Sequence, residues 1–213
     1  MNGFLTADER SSVILDEIVS VHLEAFPGFF MAQLGPRFLK QYYRCVAEFP
    51  KGILLTETGE RGCIGFVAGF IDPSEFYQDL RRRRVRFALA ASAGIAARPR
   101  RLITMLANYK RAGDIAQQVP SPGTAELSSL AVLPGASGRG VGSRLVRRFI
   151  AVAKTAGAVK VVLTTDTNGN DAVNKFYQRL GFSCVRTFEA RRGRLLNEYV
   201  IEIGKDRACE SLS

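Results

Sequence analysis

The segment Val132-Leu133-Pro134-Gly135-Ala136-Ser137-Gly138-Arg139-Gly140-Val141-Gly142-Ser143-Arg144-Leu145 limits the fold of this chain more sharply than any other. Ala125 to Leu133 ahead of the glycines is a strand candidate. Behind them, Leu145, Val146, Phe149, Ile150 and Ala153 recur at helical spacing, with Arg144, Arg147, Arg148 and Lys154 on other faces and Gly157 placed as a C-terminal stop. A strand that turns through glycines straight into a helix leaves backbone N–H groups converging at the helix N-terminus, where the helix dipole favours an anion. Glycine also lets a ligand approach the backbone where a Cβ would block it. Phosphate binding is the chemical reading of this segment, and a tight strand-to-helix turn is the plain structural one.

Two common phosphate loops do not fit. No Gly-Lys-Ser/Thr ending is present, which excludes a P-loop, and the Gly138, Gly140, Gly142 spacing is not the dinucleotide fingerprint. The segment instead resembles the acetyl-CoA pyrophosphate loop of the GNAT superfamily: Val-x-Pro, a few residues, then Arg/Gln-x-x-Gly-x-Gly/Ala and a helix. Gly140-Val141-Gly142 matches its end. Downstream, Asn170 to Phe182, with Tyr177, Gly181 and Phe182 in the Tyr-x-x-x-Gly-Phe pattern, resembles the second signature of that family. The resemblance covers residues 125–203 closely. Ser137 departs from it, standing where the family has Arg or Gln, so a side-chain contact to the pyrophosphate is either absent or supplied by Arg139.

The remaining chain reads as elements compatible with this family. Ile14, Leu15, Ile18, Val19 and Phe26 give a helix over about 11–26, ended by Pro27-Gly28. A second helix starts at Pro36, buries Phe38, Leu39, Tyr42, Tyr43, Val46 and Phe49, and stops before Pro50. Ile53 to Thr58 and Cys63 to Ile71 read as a hairpin turning at Gly59–Gly62. From Asp72 to Pro122 the sequence becomes arginine- and alanine-rich, predicting two or three inserted helices with breaks at Pro99 and near Gly113. Val159 to Thr165, a helix over about 171–180, and an antiparallel pair at Cys184 to Phe188 and Asn197 to Ile203 complete the chain.

The resemblance implies an α/β (α+β) GNAT fold: a mixed, mostly antiparallel central sheet, splayed between its fourth and fifth strands and flanked by helices. Residues 1–213 are expected to form one acetyltransferase domain with a helical insertion at about 72–122. The family's first strand is hard to find ahead of Ser11.

The same resemblance implies an acetyl-CoA-dependent N-acetyltransferase that uses acetyl-CoA as co-substrate and no metal. Leu130, Ala131 and Val132 are expected along the pantetheine arm, with the Leu130 amide polarising the thioester carbonyl. Ser137, Gly138, Arg139, Gly140, Val141, Gly142 and Ser143 would cradle the pyrophosphate. Tyr177 corresponds to the usual general acid, a phenol able to donate to the departing thiolate; its plain alternative is a packed helical tyrosine. Glu126 is the candidate general base, acting through water on the acceptor amine, with a solvated strand-end carboxylate as the alternative. Asn170 and Asn174 could bond to the coenzyme arm, and Asn170 could equally cap a helix.

Composition narrows the function further. The lone histidine, His22, lies in an apolar-periodic helix and reads as packed rather than catalytic. Cys45, Cys63, Cys184 and Cys209 are too dispersed for a zinc site or a disulfide scaffold and read as free thiols. No apolar run approaches the roughly 20 residues that span a bilayer, and the N-terminus lacks a signal-peptide pattern, so a cytoplasmic protein is expected. The net charge of +10 draws polyanions and is concentrated at Arg81–Arg84, Arg86, Arg98, Arg100, Arg101, Lys110 and Arg111. Those arginines could be a solvated face, grip the phosphates of a nucleotide-linked amino sugar, or contact a macromolecular polyanion. The segment from His22 to Phe30 is similar to that of bacterial GNAT proteins of surface-polysaccharide synthesis. A small amine or amino sugar is therefore the favoured acceptor, by direct attack in a ternary complex, and a homodimer is compatible with the sequence. The alternatives are a non-catalytic acyl-CoA-binding module and a protein-lysine or polyanion-associated acetyltransferase. No nucleic-acid-reading motif is present.

Overall fold

The computed structural model describes residues 12–60, 62–97, 122–190 and 194–204, with backbone only for Phe30 and residues 93–97. Helix α1 (Ser12–Ala25) buries Leu15, Ile18, Val19 and His22 on one stripe. A single turn, α2 (Phe30–Gln33), leads to α3 (Pro36–Glu48), which begins with Pro36 in its first turn and ends at the extended Phe49, ahead of Pro50. The hairpin of β1 (Gly52–Gly59) and β2 (Gly62–Ile71) is antiparallel as expected. Helices α4 (Pro73–Arg82) and α5 (Arg84–Ala97) follow. The anticipated breaks at Pro99 and Gly113 lie outside the described residues, as does Cys209.

The second half contains β3 (Thr124–Val132), a 3-10 turn at Pro134–Ala136, α6 (Val141–Thr155), β4 (Lys160–Asp166), α7 (Asp171–Arg179), β5 (Ser183–Glu189) and β6 (Leu195–Glu202). Both of its helices close through left-handed glycines, Gly157 (φ 90°) and Gly181 (φ 92°). In each case the N–H of the next residue returns to the last turn, Ala158 to the Ala153 carbonyl (2.9 Å) and Phe182 to that of Tyr177 (3.1 Å).

The described strands form one six-stranded sheet in the order β1-β2-β3-β4-β6-β5, antiparallel throughout except for β3 beside β4. This is the mixed, mostly antiparallel sheet that the resemblance implies. Its interruption falls between the third and fourth described strands, and residues 1–11, where a further strand was sought, are outside the description.

Strand β2 is buried on both faces. Phe66, Ala68 and Phe70 join α1, α3 and Phe76 of α4 in one core, whereas Val67 and Ile71 join Leu145, Val146 and Phe149 of α6 in the other. Gly69 permits this close packing. A Cβ there would collide with the Glu126 carbonyl oxygen and lie 2.7 Å from the Phe149 ring. Gly69→Ala should accordingly lower stability by about 2 kcal/mol or more, as overpacking against backbone does. Gly135→Ala, with no atom within 4 Å of the added methyl, should be near neutral. Paired thermal unfolding curves check both.

Candidate functional site

The site begins where pairing stops. β3 and β4 are in register only at Thr124–Lys160, Ala125–Val161 and Glu126–Val162; beyond that, β4 continues along β6 and β3 continues along β2. The strands therefore splay after Glu126.

A bulge determines which atoms face the opening. Opposite the Ala68–Gly69 junction, β3 carries Ser128 as an extra residue, because Leu127 opposes Gly69 and Ser129 opposes Ala68. Before the bulge, the Asp72 N–H donates to the Thr124 carbonyl (2.9 Å). After it, the Leu133 N–H donates to that of Ile64 (2.9 Å). Hydrogen bonding towards β2 has thus passed from even-numbered to odd-numbered residues. By the alternation of an antiparallel ladder, Ser129, Ala131 and Leu133 face β2, and the N–H and C=O groups of Leu130 and Val132 face the gap. Ala131 departs from the expectation on this point: its backbone bonds to β2 and its side chain is buried, so it offers the gap no polar group.

The glycine segment lies at the end of the same strand. The 3-10 turn uses the N–H groups of Ala136 and Ser137, which donate to Leu133 and Pro134. Gly138 (φ 75°) and Gly140 (φ 74°) then adopt left-handed conformations, Gly140 as the residue preceding α6. The first helical bond of α6 is from Arg144 N–H to the Gly140 carbonyl (3.0 Å), so the N–H groups of Val141, Gly142 and Ser143 are those that helix geometry leaves over. Among the described residues, the N–H groups of Gly138, Arg139 and Gly140 make no backbone bond either. Nothing lies within 4 Å of a Cβ position at Gly138. These N–H groups gather at a helix N-terminus, where the helix dipole favours an anion.

Arg144, placed on an outer face by periodicity, braces this loop. Its Nη1 donates to the Arg139 carbonyl (3.0 Å) and its Nε to Glu57 of β1 (2.8 Å). The guanidinium therefore lies beside Gly140, whereas Arg139 and Ser137 are exposed.

Helix α7 closes the other side. A Cβ on Gly142 would lie 3.4 Å from the Phe176 ring and 3.7 Å from Val132 Cγ2, so α6, α7 and the end of β3 converge there. Tyr177 is buried in the core that Leu130 and Val132 line, edge-on to Phe176 and Phe182. Burial pushes its phenol above the usual range, and among the described residues its hydroxyl has no hydrogen-bond partner. Asn174 is committed elsewhere: its Oδ1 accepts from Thr165 (2.6 Å) and its Nδ2 donates to the Asp166 carbonyl (3.0 Å), which ties α7 to β4. Asn170 occupies the N-cap position without a side-chain capping bond, its carbonyl accepting from Asn174 N–H (3.0 Å).

Glu126 sits on the opposite face, across from Phe70. Part of the residue is exposed, yet protein atoms crowd its carboxyl. That burial raises its pKa to about 7, opposed by a 2.6 Å hydrogen bond from the Tyr77 hydroxyl and reinforced by the charge of Glu198. Tyr77 and Glu198 were not singled out from the sequence, because neither belongs to a motif and both reach Glu126 only through folding. His22 is packed, as expected: it is buried, its Nδ1 lies 2.6 Å from the Tyr43 hydroxyl, and burial lowers its pKa to about 4. Cys45, Cys63 and Cys184 are free. Among the described residues, no group of three or more His, Cys, Asp or Glu could hold a metal ion, and no helix is long and apolar enough to cross a membrane.

Solved structures share this architecture at low identity. Aminoglycoside 6'-acetyltransferase type Ii is 13% identical, with 95% of this chain and 97% of that one covered at a TM-score of 0.60. An aminoglycoside 6'-N-acetyltransferase complexed with coenzyme A is also 13% identical, with coverage of 95% and 97% and a TM-score of 0.59. The ribosomal-protein-S18-alanine N-acetyltransferase from Escherichia coli is 14% identical, with coverage of 100% and 98% and a TM-score of 0.53. No curated protein matches the chain by sequence. The model of the acetyltransferase (GNAT) family matches residues 15–182, most of the chain, and the chain belongs to that family.

Proposed function

We propose that this protein transfers the acetyl group of acetyl-CoA to the primary amine of a small molecule or amino sugar, by direct attack in a ternary complex. The observation that carries the reading is the run of unpaired backbone groups from Leu130 through Val132 to the N–H cradle of Gly138 to Ser143. It supplies hydrogen bonds in the order that a pantetheine arm followed by a pyrophosphate requires. In this reading Leu130 N–H donates to the thioester carbonyl oxygen and stabilises the charge that grows there on attack. Tyr177, kept protonated by burial, donates to the departing sulfur.

An amine with a pKa near 10.4 is only about one part in a few thousand neutral at pH 7, so its proton must be taken up. A carboxylate with a pKa of about 7 suits that task. Glu126 lies four residues before Leu130, on the order of 10 Å along the strand, so its proton transfer runs through water. Ser137 does not weaken the cradle, since the backbone donors need no particular side chain. The fold does not select the acceptor, because the similar structures include an enzyme named for aminoglycosides and one named for a protein alanine. Arg81, Arg82, Arg84 and Arg86 are exposed, and the positive field they add favours an amine that also carries an anionic group.

Four outcomes are expected. In a panel of glucosamine, a nucleotide-linked amino sugar, spermidine and an alanine-terminated peptide, thiol release from acetyl-CoA should depend on an amino sugar; release with the peptide alone would contradict the acceptor class. Gly140→Asp should weaken acetyl-CoA binding by calorimetry at least about 100-fold, by setting a carboxylate against the pyrophosphate; unchanged affinity would overturn the cradle. The wild-type kcat/KM should rise with pH through about 7, as Glu126 loses its proton. Glu126→Gln should remove that limb and lower the plateau about 100-fold or more.

A further inference from the structure

Tyr77 reaches Glu126 from a helix inserted between β2 and β3, across 49 positions of sequence. The start of that helix is held from several directions. Asp72, in the left-handed region at φ 55°, donates its N–H to the Thr124 carbonyl (2.9 Å), accepts from Gly123 N–H at Oδ1 (3.0 Å), and accepts from Lys51 Nζ at Oδ2 (2.7 Å). Pro73 and Phe76 are buried, and the Phe76 ring stacks on Phe70 with centroids 3.8 Å apart. The next residue along the helix, Tyr77, stands edge-on to the same Phe70 at 5.5 Å. Phe70 opposes Glu126 in the β2–β3 register, so a ring fixed against Phe70 carries its hydroxyl to the Glu126 carboxyl.

We infer that Tyr77 is a positioning residue for the acceptor-side base: its hydroxyl, 2.6 Å from Glu126 Oε1, fixes the orientation of that carboxylate and favours its ionised form. The inference rests on the proposed role of Glu126. The fold does not need this hydrogen bond, because α4 is already anchored by Asp72, Pro73 and Phe76. What the bond changes is the charge state of Glu126, since an O–H donor stabilises the carboxylate more than the neutral acid. Among the described residues, the other charged group acting on Glu126 is Glu198 of β6, itself held by Arg186 of β5 (2.6 Å); β2 and β4 present Phe70 and Val162 at this register position. Glu198 opposes ionisation, and Tyr77 counters it.

The test is a carbon-detected NMR titration of the Glu126 carboxyl in the wild type and in Tyr77→Phe, with the pH profile of kcat/KM for the fastest amine of the panel above. Tyr77→Phe keeps the ring and should retain the wild-type melting temperature. The Glu126 midpoint should move up by about one pH unit, and the acid limb of kcat/KM should move with it, a loss of about tenfold at pH 6 that disappears at pH 9. An unchanged midpoint would overturn the role of Tyr77 and leave Glu126 as the base. A midpoint that moves while the limb stays would overturn Glu126 as the base, and the positioning role of Tyr77 with it.

Discussion

Beyond Glu126 and Val162, β3 and β4 cease to exchange hydrogen bonds, and the rest of the site is arranged around the backbone groups this leaves over. A polar backbone group inside a protein requires a partner, and leaving one unmade costs about 1–3 kcal/mol. Here the Ser128 bulge turns Leu130 and Val132 into the opening. Without the extra residue the alternation would send the Leu130 N–H to β2, and the gap would be lined by different atoms. Ser128 also helps to hold the bulge, its hydroxyl donating to the Ala68 carbonyl (3.1 Å) and accepting from Tyr42 (3.1 Å). An extended amide-bearing chain such as pantetheine would complete the interrupted sheet, and the N–H cradle at α6 would receive its phosphates.

In the proposed reading the two cores divide the chemistry between them. The core beneath α6 carries the coenzyme side: Leu130 and Val132, the start of α6, and Tyr177, whose helix is tied to β4 through Asn174 and Thr165. The core beneath α1, α3 and α4 carries the acceptor side, where Phe70 and Phe76 anchor the helix that brings Tyr77 to Glu126. Strand β3 belongs to both, so in that reading one strand presents a donor to the thioester and, four residues earlier, a base for the amine.

Much of this was legible in the sequence where function follows from the backbone. The glycines around Gly140, the stops at Gly157 and Gly181, and the Gly59–Gly62 hairpin are local signals, and each falls where the sequence puts it. The turn into α6 could be read because it depends on glycine placement alone. Which of Leu130, Ala131 and Val132 face the gap could not be read, since a single-residue bulge reverses the alternation and Ser128 carries no bulge signature. Asn174 matches the family signature but is engaged by Thr165 and Asp166, partners separated from it by a turn whose geometry no spacing rule fixes. Arg144 looked like an outer-face residue because periodicity ignores side-chain reach. Tyr77 was hidden for the same reason, its partner lying far along the chain.

The most direct measurement is a titration with acetyl-CoA followed in the backbone amide resonances. Saturation should shift Leu130, Val132 and residues 138–143 strongly and Ala131 much less, because Ala131 N–H faces β2. Binding that leaves Leu130 and Val132 unmoved, or no binding at all, would contradict the conclusion that the interrupted sheet and its glycine cradle form the coenzyme site.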